Sequence, residues 1–116
     1  MGLLDFRWAI EMYDKAINLK PEYAVCYSSR SLAYLGLESY EQALTDANAS
    51  IRCDEKYLKG YFNRAAANMA LTNYRDARSD WEFLKNAENS ECIQMVCQRR
   101  IEECNEKMSE PGKNNE

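Results

Sequence analysis

At 116 residues the chain is long enough for one domain and too short for two ordinary cores. Its formal charge of -4, from 15 basic and 19 acidic side chains, argues against a general nucleic-acid or anionic-membrane surface. There is no histidine to complete a common zinc site or to act as a base, no Gly-rich phosphate loop, and no apolar run long enough to span a membrane.

The opening, Met1-Gly2-Leu3-Leu4-Asp5, lacks the basic-then-apolar pattern of a secretory signal. The cysteines, at 26, 53, 92, 97 and 104, are odd in number and contain no Cys-x-x-Cys pair. They read as free thiols, with no metal and no cofactor implied, in a reducing compartment that is the cytoplasm or also the nucleus. Cys97 and Cys104 stand seven apart on one expected helix, and a shared face there would favour oxidation between molecules.

Leu4 to Leu19 carries apolar residues at three- and four-residue steps, Phe6, Ala9, Ile10, Tyr13, Ala16 and Ile17, which predicts a helix stopped by Lys20-Pro21. A second helix is expected from Tyr23 or Ala24 to Leu35, relaxed at Gly36. Its partner runs from Tyr40 to Arg52, with Tyr40, Ala43, Leu44, Ala47 and Ile51 turned inward. Tyr57 to Leu71 and Tyr74 to about Ala87 form the next pair. Trp81 takes the place of Ala47 there, so its ring should fill the hollow ahead of the final helix. That helix, Glu91 to Met108, has an apolar stripe of Ile93, Val96, Cys97, Ile101 and Cys104. Ser109 to Glu116 is polar, with Pro111 and Gly112, and is expected to be disordered.

These helices repeat. Tyr27/Tyr61, Arg30/Arg64, Ala33/Ala67, Leu37/Leu71, Tyr40/Tyr74, Ala43/Ala77 and Asp46/Asp80 are each 34 residues apart, and Phe6 and Ala9 stand 34 before Tyr40 and Ala43. A period of this length, with small and aromatic residues at fixed places in two helices, resembles the tetratricopeptide pattern. The resemblance implies an all-α, right-handed superhelix of antiparallel pairs: a partial repeat at 1–21, repeats at 24–57 and 58–91, and a capping helix at 91–108. The first helix of the first pair has no counterpart in the sequence. Part of the stripe of Phe6, Ile10, Tyr13 and Ile17 is therefore expected to lie uncovered, inviting a homodimer or another protein onto it. Arg30 and Asp46 are sixteen apart, as are Arg64 and Asp80, and Met12 stands where a third such acid would be. That pattern is read as a pair of scaffold salt bridges rather than a ligand site.

In such a superhelix the first helices of the pairs line a concave groove. The residues placed there are Val25, Ser28, Ser29 and Leu32, then Lys59, Phe62, Asn63, Ala66 and Met69. Lys59 is the clear cation for a peptide carboxylate, and Asn63 and Ser29 are available as neutral hydrogen-bonding groups. Val25, Phe62 and Ala66 offer apolar contact.

Arg30 to Leu35, the run Asp54 to Leu71, and Glu102-Glu103-Cys104-Asn105 closely resemble the N-terminal tetratricopeptide domain of the serine/threonine protein phosphatase 5 family. The resemblance runs from about Phe6 to Met108. It implies three repeats and a cap that bind the Met-Glu-Glu-Val-Asp tail of a ninety-kilodalton heat-shock chaperone. The family's phosphatase domain has no counterpart in these residues, so no enzyme is implied. Of the five groups with which that family grips the tail, the two from repeat one fall before Met1. The second-repeat Asn aligns with Ser29, the third-repeat Arg aligns with Asn63, and Lys59 alone matches by type. Chaperone-tail binding is therefore expected to be weak. The functions that remain are a co-chaperone-type adaptor and, alternatively, a truncated or divergent paralogue that associates through its first helix.

Overall fold

The structure, a computed structural model, describes residues 3–109; of the expected disordered tail only Ser109 falls among them. Six helices follow one another: α1 (Leu3–Leu19), α2 (Ala24–Gly36), α3 (Tyr40–Cys53), α4 (Leu58–Ala70), α5 (Tyr74–Ala87) and α6 (Glu91–Met108). Each packs against the next, and α2 also packs against α4. The result is an elongated array, 45 × 31 × 26 Å, of paired helices. Every expected helix is present, with ends within a residue or two of the periodic pattern.

The helix ends have local causes. Asp5, Glu41, Asp76 and Glu91 stand in first turns, where a carboxylate meets the positive end of the helix dipole. The Ser90 side chain caps α6 by accepting from the Ile93 N–H. Both pairs turn in the same way. After α2 the Ser39 N–H donates to the Tyr34 carbonyl at 2.9 Å, and after α4 the Asn73 N–H donates to the Asn68 carbonyl at 2.7 Å. This six-residue closure needs a left-handed residue between, and Glu38 (φ 60) and Thr72 (φ 63) supply it in place of the usual glycine.

Small residues set the helix spacing. Ala43, Ala47, Ala65, Ala67 and Ala77 are fully buried, so facing backbones approach closely. Gly36 lies directly under the Phe6 ring, and a β-carbon there would run into it. The core is thickest between α4, α5 and α6, where Ala65, Ala77, Trp81, Leu84, Cys97, Ile101 and Cys104 form one cluster. Trp81 fills the hollow before α6 as its size required. Its Nε1 lies 3.3 Å from the Met69 sulfur, and its ring meets Phe62 edge-on at 5.7 Å.

Two expectations about surfaces are corrected. Cys97 and Cys104 do share a face of α6, but that face is the core, and burial pushes both thiols up from their ordinary value. Oxidation between molecules therefore falls to the exposed Cys53 and Cys92. On α1, Ile17 is buried and Phe6, Ile10 and Tyr13 are half-buried, because α2 takes that stripe. The uncovered apolar face is a different one: Trp8 is 64% exposed, Met12 40% and Leu19 81%.

Candidate peptide groove

Two arginine clusters hold the scaffold from which the groove is built. Arg30 on α2 grips Asp46 on α3 with both ends of its fork, Nε to Oδ2 at 2.7 Å and Nη2 to Oδ1 at 2.8 Å. Its remaining nitrogen, Nη1, donates to Asp14 on α1 at 2.6 Å. One unit on, Arg64 grips Asp80 with two bonds of 2.8 Å and donates to Asn48 of α3 at 2.9 Å. Each arginine thus joins its own pair to the helix before it. The hydrogen bonds to Asp46 and Asp80 raise the two guanidinium pKa values above their usual range, against a smaller opposing effect of burial. Two polar clefts beside these clusters are lined by the same ion-pair residues and contain none of the expected groove residues.

The expected groove residues sit on the first helices of the pairs. Val25 is 48% exposed at the start of α2, and Lys59 is exposed at the start of α4. Ser29 and Ala66 are half-buried one or two turns further along, and Phe62 is held against Trp81. Leu32 adds an exposed apolar side chain on the same helix as Val25, 60% accessible. The structure corrects one role. Asn63 is 9% exposed, and its Nδ2 donates to the Ser28 carbonyl at 2.9 Å and to the Ser28 hydroxyl at 3.2 Å. Its amide is committed to tying α4 to α2 rather than to offering a donor to a peptide. The cause is packing: an uncharged amide between two touching helices gains more from a neighbouring carbonyl than from water.

What the arrangement can do chemically is bind. Lys59 is an exposed cation near the start of α4, and Val25 and Leu32 are exposed apolar side chains on α2. Among the described residues no cluster of potential metal ligands is found.

No family model matches the chain. It is 44% identical over 107 residues to serine/threonine-protein phosphatase 5 of Rattus norvegicus and of Homo sapiens. The match takes in 84% of this chain and 21% of each phosphatase, so the chain spans about a fifth of the length of those relatives. Among solved structures, the Arabidopsis OM64 TPR domain superposes with a TM-score of 0.79 at 27% identity, covering 85% of this chain and 82% of that one. The chain has the tetratricopeptide repeat fold. A second tetratricopeptide structure, the first TPR of Spaghetti (RPAP3) bound to the HSP90 peptide SRMEEVD, matches with a TM-score of 0.84 over 91% of this chain and 82% of its own. At 24% identity that likeness speaks for the shared tetratricopeptide fold alone.

Within this tetratricopeptide array, Asp14 and Asn48 are the residues that sequence reasoning missed. Both lie sixteen positions before an arginine, the same interval that separates each arginine from its acid on the other side. Because one is a carboxylate and the other an amide, a search for like residues in register passes over them.

Proposed function

We propose that the chain is a protein-interaction module of the co-chaperone type, holding an acidic peptide, such as a heat-shock chaperone C-terminal tail, along α2, α4 and α6. The observation that carries this reading is the exposed Lys59 at the head of α4, with the accessible Val25 and Leu32 on α2, on a fold that a solved neighbour uses to hold SRMEEVD. No catalytic role is assigned. A carboxylate bound by one lysine is worth roughly 1.5–3 kcal/mol, so a single cation supports a weak complex. Fluorescence polarisation with the SRMEEVD peptide, its C-terminal amide and an unrelated acidic peptide tests the reading. Binding to the first, loss with the amide and loss in Lys59→Ala are the expected results. Equal binding of all three peptides, or none, removes the reading.

A second reading is favoured by the exposed stripe of Trp8, Met12 and Leu19 on α1. Burying such side chains is worth roughly 1.5–3 kcal/mol each, which is enough to draw a second copy or another protein onto that face. Light scattering over a concentration series distinguishes a dimer from a monomer, and Trp8→Glu should abolish any dimer.

A further inference from the structure

Arg100, on α6, stands 34 positions after Ala66 and 68 after Leu32, the residues at the middle of the groove on α4 and α2. The structure makes that register physical. α6 packs on α5 as α4 packs on α3. Two buried positions also correspond, Cys97 and Ile101 standing where the buried Asn63 and Ala67 stand in α4, while Arg99, in the place of the buried Ala65, is exposed. Arg100 therefore occupies the groove-side place of Ala66, one helix further along, and its side chain is 46% exposed.

Resting on the groove reading above, we infer that Arg100 is the second cation of the groove, taking a side-chain carboxylate of the peptide whose terminal carboxylate Lys59 holds. Two observations favour it. The position where a cation would otherwise stand, Asn63, is spent on Ser28. Arg100 is also available: Glu103, its partner at 2.9 Å, has Arg99 waiting at 3.9 Å, so a carboxylate shared by two arginines leaves one positive charge over. The pair is open to solvent, where exchanging one carboxylate for another costs little.

The spacing selects the ligand. Seven residues separate the places of Lys59 and Arg100 along their helices, about 10 Å of rise, and α4 and α6, which both pack on α5 rather than closely on each other, stand at least about 10 Å apart. The two residues are then at least about 14 Å apart at their backbones, which an extended peptide at about 3.3 Å per residue spans in about four residues or more. The ligand class is a C-terminal peptide with an acidic side chain three or more positions before its final residue. The first glutamate of SRMEEVD is so placed.

The test is a cycle of protein and peptide variants, with circular dichroism to establish that each protein is folded. SRMEEVD and the same peptide with its first glutamate changed to glutamine are titrated into the parent chain, Arg100→Ala, Arg99→Ala and Lys59→Ala. The expected result is about a tenfold loss for Arg100→Ala, corresponding to one charged contact. That variant should no longer distinguish the two peptides, and Arg99→Ala should bind as the parent does. Arg100→Ala binding like the parent overturns the inference, as does an equal loss in Arg99→Ala, which would mark a general charge effect. Those two outcomes leave the groove reading standing so long as Lys59→Ala still weakens binding. Absence of binding to any protein sinks both.

Discussion

Ser50 carries a buried hydroxyl with no hydrogen-bond partner, and it lies between α3 and α4, against Gly60. Leaving such a group unsatisfied costs about 1–3 kcal/mol. Ser50→Ala is therefore expected to raise the melting temperature, an outcome checked by thermal circular dichroism; a lower melting temperature would mean that the hydroxyl is satisfied after all. The two arginines make a second contrast at this scale. Removing Asp46 leaves Arg30 with the carboxylate of Asp14, whereas removing Asp80 leaves Arg64 with the amide of Asn48 and the ring of Tyr61 and no hydrogen-bonded carboxylate. Asp80→Ala should cost about 3 kcal/mol and Asp46→Ala nearer 1, as urea denaturation midpoints will register. Equal costs would remove Asp14 from the account. Because the guanidinium pKa values are raised, the arginines' own titration leaves the stabilisation in place below their unfolded value and removes it as the pH rises through the folded one, in strong alkali.

At the scale of the element, the turns are the strained places. Thr72 is β-branched and left-handed, a conformation that costs most residues roughly 1–2 kcal/mol and a β-branched one no less. Thr72→Gly should stabilise the domain by about 1 kcal/mol, measured again by denaturant; an unchanged or lowered midpoint would place the strain elsewhere. Nearly all the helices were legible in the chain because each boundary is stated twice, once per repeat. Tyr40/Tyr74 begin their helices, and Leu37/Leu71 follow the last helical residues before them. What α1 leaves uncovered was not legible. Apolar periodicity finds the strongest stripe, Phe6 to Ile17, but cannot say that α2 already covers it, and so the weaker stripe of Trp8, Met12 and Leu19 escaped notice. The role of Asn63 was hidden for a related reason. Its partner Ser28 is answered by Phe62 one unit later, so the tie between α2 and α4 has no second copy from which to recognise it.

Over the whole molecule, an array of this kind is a chain of neighbours, and its cooperativity depends on how strongly each unit holds the next. Here α3 bonds both arginines, Arg30 through Asp46 and Arg64 through Asn48, so the two pairs share one helix. Urea should therefore remove the helical signal and expose the buried Cys97 thiol to alkylation at a common midpoint. Thiol exposure at clearly lower urea would show that α6 comes away alone.

The asymmetry between Asp14 and Asn48 has a consequence for how units can be exchanged. Each unit's arginine is completed by a residue of the unit before it, so no unit is self-contained, and a transplanted one inherits its seam from whatever precedes it. The first seam is written with a charge and the second with an amide. Swapping the two letters, Asp14→Asn together with Asn48→Asp, keeps composition and net charge constant while moving the weaker seam from the middle of the array to its beginning.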